Sequence, residues 1–189
     1  MPSAAFTRWQ NDRMPRLNEV DAHCAAVLAL VPPNPTFLDE TLRGFVLHLS
    51  AHFQGFCRDL YTECSQDWIA AIPAGPQAAS QAQFSARLTL EKGNPSYDNI
   101  KSDFNRFGFL LDLQAAHPAG PQQVTDLGHL NAWRNKAAHQ GTQPLTGGVP
   151  AALTLAIVQG WRDSRDGLAS SLDGIMRAEL LRIMGVAPW

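Results

Sequence analysis

Six consecutive residues, Arg134-Asn135-Lys136-Ala137-Ala138-His139, carry the side-chain types that handle a phosphodiester. Arginine stays charged at any physiological pH and offers paired N–H donors to phosphate oxygens. Histidine moves protons near neutrality. Asn135 adds an amide able to orient the histidine or a phosphate oxygen. Cutting RNA without a metal requires deprotonation of a 2′-OH, stabilisation of a crowded phosphorane and protonation of the leaving 5′-oxygen. Imidazole suits the two proton transfers, and guanidinium suits the developing charge. Asn131, Asn135 and His139 recur every four residues, one polar helical stripe opposite Leu127, Leu130 and Ala137/Ala138. Arg134 lies five residues before His139, so on a straight helix the two point about 140° apart. A helix that frays at the motif, or a dimer that sets two copies face to face, would bring them to one phosphate. The dimer fits the residue types better, because an arginine can reach across an interface and remain charged. Spacing alone favours a plainer role, in which Arg134 and His139 cap a helix C-terminus and answer its dipole.

The elements that must position this motif read as helices. Residues 1–16 are polar and mixed, with Trp9 the only large anchor, and are expected to be a poorly ordered lead-in. Leu17, Val20, Cys24, Val27, Leu28 and Val31 then follow a 3–4 spacing that predicts a first helix stopping at Pro32-Pro33. Thr36 is a candidate cap for a second, long helix, with Leu38, Leu42, Phe45, Leu49, Phe53, Phe56 and Leu60 as its buried stripe and Pro73–Pro76 as its end. Gln77 to about Leu90 predicts a weaker helix closed by Gly93-Asn94-Pro95. Ser96 caps a short one bearing Ile100, Phe104 and Phe107. Pro121 suits the first turn of the motif helix, which Gly141 and Pro144 terminate, and Pro150 opens a last helix with Leu153, Ile157, Trp161, Leu168, Leu172 and Ile175 at core spacing. No segment alternates with β-branched enrichment. The expected fold is all-α, an antiparallel bundle of about five main helices, with residues 17–185 forming a single helical domain.

Composition narrows the function classes. The chain has 189 residues and is 45% hydrophobic, enough for one core, and its net charge is −2. A broadly basic surface for general nucleic-acid binding is absent, so RNA contacts would need a local cluster of cations. Cys24, Cys57 and Cys64 form no CxxC pair and read as reduced, buried thiols of a cytoplasmic protein. No apolar run reaches transmembrane length, and no membrane partner is expected.

Two further patterns call for explanation. His48 and His52 are four apart, as zinc ligands can be, but the glutamate of an HExxH motif and a third ligand are missing; no metal or other cofactor is expected. Gly160, Gly167 and Gly174 recur every seven residues, which fits either close approach of a partner helix or coincidence.

The stretch Asn131-Ala-Trp-Arg134-Asn135-Lys136-Ala-Ala-His139-Gln-Gly141 resembles the R-x4-6-H signature of the HEPN superfamily. Phe45 through Tyr61, with Gln54 and Arg58-Asp59-Leu60, is similar to the long helix of its RiboL-PSP-like branch, as is Asn94-Pro95 with the helix that follows. The resemblance spans about Leu17 to Leu180. It implies a helical bundle that dimerises with the two motifs lining one cleft. It also implies a metal-independent endoribonuclease, of the kind used as a toxin or in phage defence, with a cognate antitoxin or a nucleotidyltransferase as possible partner. By position, Arg134 and His139 would be catalytic and Asn135 supporting, with Lys136, Gln54, Arg58 and Asn131 binding substrate or holding the site. This chain has Gln54 where the family's long helix often offers a glutamate, and an amide cannot serve as a base. Arg58 lies one turn after Gln54, facing substrate or paired with a carboxylate such as Asp59 or Glu63. The other reading is a non-catalytic HEPN-like RNA- or nucleotide-binding or helical interaction module.

Overall fold

The computed structural model describes residues 1–139 and 145–189, and every regular element among them is helical. The α-helices are α1 (Ala4–Arg8), α2 (Met14–Leu28), α3 (Pro35–Ala71), α4 (Ala74–Ser85), α5 (Thr89–Lys92), α6 (Tyr97–Phe104), α7 (Gly120–His139) and α8 (Leu155–Met184). Helix α3 runs 37 residues, about 55 Å at the helical rise. It lies against each of the other seven, so the all-α bundle is organised around it. Its N-cap is Asn34, whose side chain accepts from the Phe37 N–H, instead of the expected Thr36. Pro35, with φ preset and no N–H to leave unpaired, takes the first turn and moves the cap one residue back. Leu42, Phe45, Leu49, Phe53, Phe56 and Leu60 are buried along α3 as their spacing predicts.

The first sixteen residues are not a loose lead-in. Ser3 caps α1 by accepting from the Phe6 N–H, and the Glu63 carboxylate on α3 accepts the Ala4 and Ala5 N–H groups at 2.8 Å each. Trp9 is fully buried between Phe53 and Phe56, and its Nε1 donates to Asp166 on α8 at 2.8 Å. One aromatic anchor and two caps outweigh the polar composition of the segment. Between α1 and α2 the chain stays helical through a π-type turn, Trp9–Arg13. Trp9 and Leu17 both belong to the core but are eight residues apart, about 80° out of line on an α-helix. The wider π turn takes up one residue and restores their alignment. Pro15, which has no N–H to return to the preceding turn, favours that widening.

Other boundaries also shift. In α2 the buried residues are Leu17, Cys24 and Val27, whereas Leu28 and Val31 are 55% and 93% exposed because the helix ends at Leu28. The single helix expected over 77–90 is broken into α4 and the one-turn α5. The chain reverses at Arg87, where φ is +51°, and Arg106 takes the carbonyls of Gln83, Ala86 and Arg87. Helix α8 starts at Leu155, capped by Thr154, and not at Pro150, whose carbonyl accepts from Trp133 Nε1 at 2.9 Å. The terminators Gly141 and Pro144 lie outside the described residues. Of the heptad glycines, only Gly167 is a close approach: a Cβ there would collide with the Gln123 side chain of α7, whereas Gly160 and Gly174 face open space. No helix among the described residues is long and apolar enough to cross a membrane.

Candidate functional site

The motif helix α7 buries Leu127, Leu130, Asn131 and Trp133 and turns Arg134, Asn135 and His139 outward. Arg134 is half-buried; Asn135 and His139 are exposed, with His139 at the last residue of the helix. Trp133 sets this orientation from below. Its indole is held by Pro150, its ring lies 4.7 Å from the Lys136 ammonium, and Arg43 of α3 approaches the same ring at 5.9 Å. Lys136 thus sits over an aromatic face, a contact that spacing alone did not anticipate.

A turn from another part of the chain completes the site. Asn94 Nδ2 donates to Asn135 Oδ1 at 2.7 Å, and Arg134 Nη1 reaches the same oxygen at 3.4 Å. Asn99 Nδ2 in turn donates to the Asn94 carbonyl at 2.7 Å. Asn131, one turn earlier on α7, donates from Nδ2 to the Pro95 carbonyl at 3.4 Å, while its Oδ1 is buried without a donor among the described residues. The Asn94-Pro95 turn is therefore fastened to the motif helix at two successive turns.

The turn itself is fixed by α5, a single helical turn gripped at both ends. The fully buried Asp103 carboxylate accepts the Thr89 and Leu90 N–H groups at 3.1 and 2.9 Å, and Arg106 stands 3.5 Å from it. At the other end Gln54 Nε2 donates to the carbonyls of Leu90 and Gly93, each at 2.7 Å. Arg58 donates from Nε to Leu90 and from Nη2 to Glu91 at 2.9 and 3.0 Å. Both side chains thus act on backbone carbonyls. Arg58 pairs with neither Asp59, which binds Arg13, nor Glu63, which caps α1. Gln54 in place of an acid also acquires a reason: its two donors meet two acceptors, where a carboxylate would oppose them. Asn94, Asn99, Asp103 and Trp133 are the site residues that spacing within α7 did not reveal. The polar Gly93-Asn94-Pro95-Ser96 run was their visible sign.

The structure thus brings Asn131, Asn135 and Arg134 together through the Asn94 turn and sets Gln54 and Arg58 behind it. His139 lies one turn beyond Asn135 on the same stripe. Arg134 has no carboxylate partner among the described residues. The ring centroids of His48 and His52 are 6.4 Å apart, and no group of three metal-ligating side chains occurs among the described residues. No family model, curated protein or solved structure matches the chain.

Proposed function

We propose that this chain is a metal-independent endoribonuclease of the HEPN type, acting on single-stranded RNA as a homodimer in a toxin or phage-defence role. The observation that carries the reading is the linked series Asn99–Asn94–Asn135–Arg134, which holds a guanidinium at the accessible face of α7. A positioned cation with no carboxylate to neutralise it suits the charge that develops on non-bridging phosphate oxygens. His139, exposed at the end of the same helix, supplies the proton transfers. In the reaction the 2′-oxygen loses its proton and attacks phosphorus, and the P–O5′ bond breaks. A 2′,3′-cyclic phosphate and a 5′-hydroxyl result, the leaving oxygen having taken up one proton. Because Arg134 and His139 diverge around one helix axis, each active centre draws its arginine and histidine from different protomers. A cognate antitoxin or a nucleotidyltransferase would act by covering or modifying this face.

A second reading, a non-catalytic RNA- or nucleotide-binding module, has its own support. Gln54 is uncharged and spends both donors on backbone carbonyls, so it does not serve as a charged orienting group for His139. The deciding experiment incubates purified wild type and His139→Ala with single-stranded RNA in the presence of a chelator. Cleavage to cyclic-phosphate ends by wild type alone supports the nuclease. Binding without cleavage by both proteins supports the module.

A further inference from the structure

A cluster of cations lies in the segment whose composition suggested disorder. Arg8, Arg13 and Arg16, with Asp12 and His52, line a pocket of about 180 Å³ between the N-terminal helices and α3. Its shape comes from two local departures from regularity. The π turn ends at Arg13 and so changes where that side chain leaves the helix, and π turns of this kind recur at functional sites. Opposite it, α3 carries Gly55, where a Cβ would collide with the Arg13 guanidinium. The long helix is notched at the point where the arginine lies.

The guanidinium is held but not saturated. Arg13 Nη2 is 2.8 Å from Asp59 Oδ2, and Arg8 Nε is 3.5 Å from the same oxygen. Arg13 Nε is buried with no acceptor among the described residues. Arg16 has no carboxylate partner among them. The lining holds three guanidinium groups and one carboxylate, Asp12; with Asp59 counted, which pairs with Arg8 and Arg13 from beside the lining, the cations still exceed the carboxylates in a protein whose net charge is −2. We propose that this pocket is a binding site for a single phosphate group, carried by a free phosphomonoester or by an RNA strand.

Size and chemistry both favour that ligand. The pocket is smaller than the roughly 300 Å³ at which small-molecule sites begin, which suits one oxyanion and excludes a whole nucleotide. Arginine forks match phosphate oxygens in pairs. His52 senses the same field: burial first, then Arg13, His48 and Arg16, hold its pKa below the ordinary histidine value. The charged groups around it are those three together with Arg8 and Asp12 across the pocket. An anion seated among them offsets the cations, so binding draws a proton onto His52. The site stands whether or not the α7 motif cuts RNA.

The test is titration of the full-length protein with inorganic phosphate and with sulfate, against chloride at matched ionic strength, by calorimetry and by NMR of the His52 ring. Saturable one-to-one binding is expected, with the His52 pKa raised by sulfate, whose charge does not itself change near neutrality. Arg16→Gln and Arg8→Gln, both at exposed positions, should each weaken binding about tenfold. Absence of saturation beyond the chloride control overturns the proposal. So does equal binding by folded R8Q and R16Q, or a His52 pKa indifferent to sulfate. Paired RNA oligonucleotides with and without a 5′-phosphate then identify the source. Competition by the 5′-phosphorylated strand alone assigns a terminal monoester, equal competition assigns the backbone, and competition by neither assigns a free phosphomonoester.

Discussion

The Asn94 side-chain amide donates to Asn135 Oδ1 at 2.7 Å and so joins two segments forty-one positions apart in the sequence. Asn135, the middle member of the motif, therefore works as a receiver: its one carbonyl oxygen takes Asn94 at full strength and Arg134 at 3.4 Å. If the guanidinium is to meet a phosphate, this oxygen is what aims it. Asn94→Ala should leave the fold intact and reduce RNA cleavage with little change in RNA binding at saturating protein. Asn135→Asp, which keeps the acceptor and adds a charge, should draw Arg134 into a tighter pair and lower activity further. Single-turnover cleavage rates, compared with equilibrium binding of an uncleavable RNA, separate the two effects.

If the proposed nuclease reading holds, His139→Ala should cost at least about 100-fold in cleavage rate, the usual contribution of an acid–base group. Because His139 is exposed at the last residue of α7, the melting temperature should stay within experimental error. A mutant that loses activity by unfolding would show up at once in the circular dichroism.

Gln54→Glu is expected to destabilise the protein by about 1–3 kcal/mol near neutrality, although it installs an acid behind the motif. Two carbonyls, of Leu90 and Gly93, would lose their donor and face a carboxylate. Acidification should partly rescue the variant, since a protonated carboxyl can donate once. Urea denaturation at about neutral and at mildly acidic pH checks both the loss and the rescue.

Trp9→Ala should remove about 3–5 kcal/mol, as for a buried aromatic of the core, because its ring is fully enclosed and its indole N–H is bonded to Asp166. Were residues 1–16 dispensable, the variant would melt with the wild type.

His52 gives the protein a pH dependence of definite sign. Its folded pKa lies below the ordinary value, through burial first and then Arg13, His48 and Arg16. The unfolded chain therefore takes up a proton that the folded chain resists, so stability falls as pH drops through the histidine range and is regained above it. His52→Gln should flatten that slope, as read from the denaturation midpoint at several pH values between about 5 and 8.

How far the sequence disclosed this structure depends on range. Helix identity was legible wherever an apolar stripe ran long, as in α3, or where a local device marked an end, as Ser96 does by accepting from the Asn99 N–H. The outward placement of Asn135 and His139 also followed from periodicity, whereas Asn131 of the same stripe is buried against the Pro95 turn and half-buried Arg134 lies a heptad after the buried Leu127. What remained hidden was set by partners distant in the chain. The first sixteen residues look polar because their anchors, Glu63, Asp166 and Asp173, lie elsewhere. Gln54 and Arg58 looked like substrate-facing groups because nothing local shows that the carbonyls of Leu90, Glu91 and Gly93 would come to rest against them. The π turn escaped for a related reason: it reconciles Trp9 with Leu17, a requirement imposed by the core.

Around α3 between His52 and Leu60 the side chains divide into three directions about 120° apart. Phe53, Phe56 and Leu60 enter the core, Gln54 and Arg58 hold the turn behind the motif, and the third direction serves the arginines: His52 lines their pocket, Gly55 makes room for Arg13 and Asp59 pairs with it. Two turns of one rod thus work as a three-sided key, with a different client on each side. A substitution chosen to disturb one side twists or shifts the stem that the other two share. Mutational scans of this segment consequently need all three readouts, namely melting temperature, RNA cleavage and anion affinity, measured on the same variant.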